Sequence, residues 1–597
     1  MPIQSATNGA FTLKAYPGDA KTLLAFNLQK KDTKNLAGFT IQCKPAGRKA
    51  YSIDNTLQFE TPANHSQDPK EKPTASINAP IHKFRWLHVP GSSHQGTTPF
   101  AGNDTYTVTP RYFDKTGSLQ PLDASLSASV TRKVVPLAKA GLQLGFTRGF
   151  TQSQAFVRHF SKTAPFSPKG RALLFDTSQQ AAVNSKNQPF TFQDEYAWSG
   201  FTARDRIFEI LNQVKNDGSL RLDVFACDLN KPGVCRLLLD LAKAGRVRII
   251  LDDAALHHDT AKPKPEDEFE KLFIQAAGNA DSILRGHFGR YAHDKVLIVS
   301  QRETALRVLT GSTNFSVTGM YVNSNHVLVF NDPDVAARYA ELFNEAFRLE
   351  TDAPSFRKLP LATQPFLFST QKTPATTVTF APHPNTFTKT VLSTITTAVS
   401  NESTRGKGAS VFFAVMEMKT GTGPVFPALQ SIHANPAVFS FGISDNPDGI
   451  ELYKPGKPTG DRLPPPFNQV PNIGIGHQIH HKFVVCGFNG PNPVVFCGSS
   501  NLAEGGENSN GDNLIEIHDA DTATAFTIEA VGLVDHFIFL DRLAAAPKAP
   551  ADAKENAPAP KSEAAATAGW FLGTSSKWVD PYLDPNDLKC RDRELFC

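Results

Sequence analysis

Two short stretches of this chain carry residues whose types and spacing could do chemistry. The first is His293-x-Lys295 followed by Gly311-Ser312-x-Asn314, and the second is His480-x-Lys482 followed by Gly498-Ser499-x-Asn501. Each pair of equivalent positions lies 187 residues apart, and the same offset relates Asn323 to Asn510 and Asp332 to Asp519. A constant offset across several polar identities marks an internal duplication. On a strand, residues i and i+2 project from one face, so each His and Lys should point together. A Gly-Ser-x-Asn turn can then bring an amide and a hydroxyl beside them. Facing each other, the two copies would surround one cavity with two imidazoles, two ammonium groups and two carboxamides. That set suits a phosphodiester. The lysines and asparagines can stabilise the charge that develops on the non-bridging oxygens. A neutral imidazole can attack phosphorus while a protonated one delivers a proton to the leaving oxygen. Histidine supplies both forms near neutral pH. The lysines already provide positive charge, so neither a metal nor any other cofactor is expected.

Elements must hold these groups. Residues 1–137 show short β-rich runs at 22–28, 39–43, 51–53, 84–89 and 105–113, separated by Gly, Pro, Asn and Asp. This spacing predicts an all-β sandwich of immunoglobulin or fibronectin kind, with His82, Lys83 and Trp86 as sandwich residues. From 138 the texture becomes alternating strand and helix. The spacing predicts strands at 172–175, 222–227 and 247–253 and helices at 204–214 and 234–244, with a further helix opening on Pro333. The order repeats as a helix at 388–399, a strand at 410–416, a helix at 424–433 and a strand at 438–443. Such alternation predicts a mostly parallel sheet with helices outside in each of two lobes, 138–355 and 356–543, related as a pseudo-twofold pair. The Pro- and Gly-rich segment 444–476 is long enough to serve the second motif. Residues 544–568 read as an Ala/Pro linker, and the aromatic tail 569–597 is expected to dock on the catalytic body; membrane contact is its sharper alternative.

The doubled HxK…GSxN pattern resembles the phospholipase D superfamily, over roughly residues 140–540. That resemblance implies an α/β body with two phospholipase D-like lobes, a phosphohistidine intermediate, and catalytic roles for His293, Lys295, Asn314, His480, Lys482 and Asn501. Ser312 and Ser499 match the serine of the turn, as phosphate-binding or supporting residues. The family also has a downstream acidic residue that orients a motif histidine; Asp512 fits that place, and the first copy has Asn325 there. The family's aspartate five positions after the lysine is Ser300 in one copy and Gly487 in the other. Its absence is similar to the tyrosyl-DNA phosphodiesterase branch. The resemblance implies hydrolysis or transfer of a phospholipid headgroup, with His293 as nucleophile and His480 as acid/base. A nuclease or DNA-end phosphodiesterase acting on DNA or RNA is the alternative. A non-catalytic adhesion protein is the reading from another class.

Composition bounds these readings. At 597 residues, with 40% apolar and 20% charged residues and a net charge of +4, the chain reads as an ordinary globular protein of three or four domains. No run of about 18 apolar residues stands out, so no transmembrane segment is expected, only peripheral membrane contact. Seven scattered cysteines without CxxC spacing argue against a disulfide framework or structural zinc. Clusters at His257-His258-Asp259 and at His477, His480 and His481 lack spaced partners for a metal. The start of the chain shows no signal peptide, which points to a cytoplasmic setting, with signal-free export left open. Both half-sites lie in one chain, so a monomer is expected. Asp252 and Asp253, at a strand end, could border the site.

Overall fold

The computed structural model describes residues 2–89, 101–149, 153–161, 163–170, 172–419, 421–446, 449–453, 461–462, 478–545 and 571–597. Most of the segment 444–476, as well as His477 and the linker from 546, lies outside the described residues. The chain forms two compact units, one of residues 1–95, 99–135 and 535–597, the other of residues 96–98 and 136–534.

The first unit contains two four-stranded antiparallel sheets. One orders Gln4–Asn8, Phe11–Pro17, Thr22–Asn27 and Arg85–His88; the other orders Tyr51–Ser52, Leu36–Pro45, Gly102–Tyr112 and Ala128–Val134. Alternation sets the layering. In Ala128–Val134 every second residue is buried, as the period of two in a half-buried strand requires. Phe11, Leu13 and Phe26 from one sheet share a core with Ile41, Tyr106 and Val130 from the other. The tail corrects the expectation of docking on the catalytic body. Val579 and Tyr582 join the core of this β unit. Trp578 stacks on His82 with centroids 4.9 Å apart. Tyr16 donates to the Phe596 carbonyl at 2.6 Å, and Arg85 pairs with Asp592 at 2.7 Å. The tail rings Trp578 and Tyr582 pack against Phe39 and Phe84.

The second unit holds both copies of the motif in two mixed sheets. The first runs Ile283–Arg285, Val247–Leu251, Leu220–Ala226, Val296–Gln301, Thr304–Gly311, His326–Phe330, Leu142–Phe146 and Ala138–Lys139. The second repeats the central order: Phe439–Asn446, Ser410–Met416, Lys482–Cys486, Val494–Gly498, Asp512–Ile517 and Thr376–Ala381. The expectation of mostly parallel sheets fails. Only Leu220–Ala226 with Val247–Leu251, Val247–Leu251 with Ile283–Arg285, and Ser410–Met416 with Phe439–Asn446 run parallel among the described strands. The motif strand returns at once through Arg302-Glu303 into Thr304–Gly311, and a two-residue connection can join only antiparallel neighbours. Residues 172–175, expected as a strand, are turn and coil.

Helices cover both faces of the first sheet. Phe192–Asn216, Pro232–Lys243 and Pro265–Ala277 pack on one side, and Phe343 of Pro333–Arg348 meets Phe225 on the other, centroids 5.3 Å apart. Pro333–Arg348 and Ala520–Ala545 again start 187 residues apart. Asp332 caps the first through the Asp334 amide, and Asp519 caps the second through the Thr522 amide at 2.9 Å. Phe526 of the later helix touches Phe146 of one sheet and Phe483 of the other, so this helix binds the halves together. Its stretch Ala520–Phe539 is long and apolar enough to cross a membrane by composition, but 72% of that window is buried within the protein. That burial makes it a core helix.

Candidate active site

Each HxK motif sits just ahead of a central strand, Val296–Gln301 in the first copy and Lys482–Cys486 in the second. Each GSxN glycine ends the neighbouring strand with positive φ, 141° at Gly311 and 133° at Gly498. A Cβ at either would lie 2.4 Å from a backbone oxygen, that of His326 or of Asn513. Only glycine lets the turn approach so closely.

Main-chain bonds then cross between the copies. Ser324 N donates to the Gln478 carbonyl at 2.7 Å and Gly511 N to the Tyr291 carbonyl at 2.8 Å. These bonds bring the residue that orients each histidine over from the opposite copy. His293 Nδ1 lies 2.7 Å from Asp512 Oδ1. His480 Nδ1 lies 2.8 Å from Asn325 Oδ1 and 3.0 Å from the Ser312 carbonyl. Each of these partners accepts, so Nδ1 carries a hydrogen in both rings. Burial pulls the His293 pKa down to about 4; Asp512 opposes this, while Lys295 and Lys482 reinforce it. His293 is therefore neutral at neutral pH. Burial favours the protonated form of Asp512, but His293, Lys295 and Asn510 together hold its carboxyl below the ordinary range.

Both lysines are buried. Lys295 Nζ donates to the His293 carbonyl and Lys482 Nζ to the His480 carbonyl at 2.8 Å. Burial, and next the Lys295 charge, press the Lys482 ammonium well below its usual range. An anion placed between the two lysines relieves that repulsion. Asn314 Oδ1 and Asn501 Oδ1 are both buried without a hydrogen-bond partner among the described residues. With either amide turned over, its Nδ2 would take that place and donate to an anion. Matched orphan amides at equivalent positions are what a site awaiting a polar ligand presents. Two imidazoles, two buried lysines and two asparagine amides can together attack, protonate and steady a phosphoryl group.

The serines lie behind this layer, fully buried. Ser312 Oγ donates to Asn325 Oδ1 at 2.7 Å, and Ser499 Oγ accepts from the Asn513 amide at 2.9 Å. Ser312 thus supports Asn325, and Ser499 holds the backbone beside Asp512. Four further residues, of which the sequence reading had placed only Asp252 at the border of the site, complete the network. Asp294 accepts from Asn513 Nδ2 at 2.6 Å. His481, at the equivalent place in the second copy, meets His326 Nδ1 at 3.2 Å and stacks on its ring. Asp252 accepts the amide of Ala292, directly before His293. Asp445 accepts the amide of Ile479, directly before His480, at 3.2 Å. Each strand-end aspartate thus fixes the backbone leading into one motif histidine.

The metal readings of the sequence resolve into hydrogen bonds. His257 Nδ1 pairs with Asp252 at 2.7 Å and His258 Nδ1 with Asp267 at 2.6 Å, while Asp253 binds His287. Cys227, Asp252 and His257 do bring sulfur, oxygen and nitrogen donors within 4.8 Å of one another. However, the Asp252 oxygens already accept from Ala292, Ala254 and His257.

Residues 210–347 match the family model described as "Cardiolipin synthase, PLD-like domain". No curated protein matches the chain. Among solved structures, a polyphosphate kinase from Porphyromonas gingivalis is similar at 13% identity and TM-score 0.35, over 53% of this chain and 43% of that one. This chain thus spans less than half of that kinase's length. The phospholipase D family member Nuc from Salmonella typhimurium is similar at 18% identity and TM-score 0.20, over 25% of this chain and 88% of that one. A mutant yeast tyrosyl-DNA phosphodiesterase is similar at 9% identity and TM-score 0.27, over 52% of this chain and 86% of that one. Superpositions this loose carry no argument about function. The family model spans the first HxK…GSxN copy, so residues 210–347 carry the likeness to a phospholipase D-like domain.

Proposed function

We propose that this chain is a metal-independent phosphodiesterase that works through a phosphohistidine, with two pseudo-twofold lobes forming one site. The observation that carries the reading is the crossed anchoring of both Nδ1 atoms, which leaves Nε2 of His293 and His480 as the reacting nitrogens. His293 Nε2 attacks phosphorus, the bond to the leaving oxygen breaks, and His480 gives that oxygen its proton. His480 then takes a proton from water, the water oxygen bonds to phosphorus, and the P–N bond breaks. An alcohol in place of water gives transfer. Lys295, Lys482, Asn314 and Asn501 hold the non-bridging oxygens throughout. The His293 partner is a carboxylate and the His480 partner a neutral amide. The anion favours charge build-up on the ring that becomes phosphorylated, which supports His293 as nucleophile. One chain supplies both halves, so a monomer suffices. The β unit we read as a sandwich that serves binding or spacing.

For the substrate, a phospholipid headgroup ester is the reading by family analogy. A specific observation favours single-stranded nucleic acid. Tyr291 lies beside His293, ring centroids 6.3 Å apart, and the exposed Arg290 sits over its face at 5.6 Å. An aromatic face with an adjoining cation is how a base and its phosphate are held.

The test offers phosphatidylcholine vesicles, single-stranded DNA and an activated diester such as bis-p-nitrophenyl phosphate, with and without EDTA. Wild type should turn over the activated diester in EDTA, and His293→Ala and His480→Ala should each lose activity at least about a thousandfold, as removal of a reacting group does. DNA should be cleaved faster than the lipid, and Arg290→Ala should remove that preference without abolishing turnover of the small diester. No turnover of any substrate, or full rate in either histidine variant, would sink the mechanism.

A further inference from the structure

We propose that the β unit binds one zinc-class divalent cation between its two sheets, held by Cys43, His88 and Asp104. Nothing in the phosphodiesterase reading calls for this site. One donor atom from each of the three residues lies within 4.8 Å of the others, and all three are buried. Cys43 and Asp104 stand on paired strands of one sheet, Leu36–Pro45 and Gly102–Tyr112. His88 ends Arg85–His88 in the other sheet. An ion here would clasp the two layers.

The hydrogen bonds prepare the donors. Tyr106 Oη lies 3.4 Å from Asp104 Oδ2, to which it donates. His88 Nδ1 lies 2.7 Å from the same hydroxyl, and His88 Nε2 lies 3.2 Å from the Tyr51 hydroxyl. A ligating histidine whose other nitrogen is fixed by a neighbouring oxygen is the usual arrangement around zinc. Asp104 Oδ1 is fully buried and has no partner among the described residues. An orphan carboxylate oxygen in a core is costly unless something cationic meets it. On binding, one thiolate and one carboxylate would balance the ion's charge, and one proton leaves Cys43 for solvent as the S–metal bond forms. Sulfur, nitrogen and oxygen together suit zinc over magnesium or calcium, which want oxygen alone. The Cys227 triad differs, because its carboxylate oxygens already have partners.

Metal content of the full-length protein, purified without chelator and measured by inductively coupled plasma mass spectrometry, should show one zinc per chain. Cobalt(II) exchanged into the site should give a thiolate-to-cobalt charge-transfer band, absent in Cys43→Ser and unchanged in Cys227→Ser. Asp104→Asn keeps the side-chain shape and the Tyr106 contact. It should retain the wild-type circular dichroism spectrum while losing zinc on dialysis. If Cys43→Ser fails to fold, the wild-type protein decides: added zinc should raise the unfolding midpoint of the chelator-treated chain and added magnesium should not. A chain that carries no zinc and gains nothing from it overturns the site. So does a cobalt band that survives Cys43→Ser or vanishes in Cys227→Ser. Each readout is metal content, spectrum or melting, so this test can fail while the phosphodiesterase reading stands, and the reverse.

Discussion

Replacing Asp512 with Asn isolates the electrostatic half of the crossed anchoring. The carboxylate lies 2.7 Å from His293 Nδ1 and is fully buried. For unit charges about 4 Å apart at an effective dielectric of about 20, its attraction for a cationic ring is ~4 kcal/mol. Lys295 and Lys482 bear on the same ring and offset part of that. Asn325 shows that an amide oxygen still accepts from a histidine Nδ1 at 2.8 Å, so Asp512→Asn should keep the ring orientation and lose charge alone. A loss of about 3 to 4 kcal/mol as His293 becomes a phosphorylated cation lowers kcat/KM by roughly a hundred- to a thousandfold. The pH profile gives a second signature. Burial already sets His293 at about 4, and Asp512 is a raising influence, so its removal moves the acid limb that His293 governs to lower pH. Stability follows the same sign. The folded pKa lies below the ordinary 6.5, so the unfolded chain binds more protons and stability is lost as pH falls from 6.5 towards 4. In the variant that loss continues further into acid. Initial rates on the activated diester from about pH 4 to 8, with melting curves as a fold control, measure both effects. A variant with full activity, or an acid limb displaced towards neutrality, would refute the reasoning.

Asp252→Asn and Asp445→Asn should each lower kcat about tenfold to a hundredfold with little change in KM, because a small displacement of a reacting group is costly; Glu in place of Asp should not rescue, since the longer side chain cannot reach the same amide. Burial pushes the Glu195 carboxyl up from 4.5 to about 8, so Glu195→Gln should stabilise the catalytic unit above pH 8, by up to ~5 kcal/mol at 1.36 kcal/mol per pK unit. That advantage should vanish below about pH 4.5, where the carboxyl is protonated in both states, and chemical denaturation at the two pH values reads it. Trp578→Ala should destabilise the β unit by about 2 to 4 kcal/mol, in the range for truncating a packed aromatic, and leave diester turnover by the folded protein unchanged.

The reacting groups were legible because the duplication preserved their spacing. His293 and His480, Lys295 and Lys482, and Asn314 and Asn501 all keep the offset of 187. Asp252 and Asp445 do not; they stand 193 apart, because the segment between strand end and motif differs in length in the two copies. A search at fixed period cannot pair them, and their shared role emerges only when each strand end is seen gripping the amide before a histidine. Sheet direction was hidden for another reason. Periodicity marks a strand but not its partner, and the signal that mattered was the two-residue connection at Arg302-Glu303. The roles of Asp294 and His481 were hidden in the sequence, since each stands next to a motif histidine and alternates away from the motif face. The offset joining Asp294 to His481 and Asn513 to His326 was the available clue, and it needed the fold to show that these pairs meet.

The crossing of the anchors changes what the duplication means. Each copy carries a histidine that it does not orient itself: Asp512 reaches back to His293 across 219 positions and Asn325 reaches forward to His480 across 155. A single copy folded alone would present a histidine with no partner for Nδ1, free to take either tautomer, and an orienting residue with nothing to orient. The halves therefore had to remain together, as one chain does at no association cost. Once joined, they were free to diverge, because the two anchors no longer had to be the same residue. The carboxylate at 512 and the amide at 325 are that divergence, and in the proposed mechanism it would let one imidazole gather positive charge while the other releases a proton. Asn325→Asp tests the point: giving both rings an anion should erase the difference between them. If the acid/base limb of the pH profile, expected to move up by about 1 to 3 pH units with a carboxylate beside His480, stays where it is, the asymmetry has no catalytic meaning.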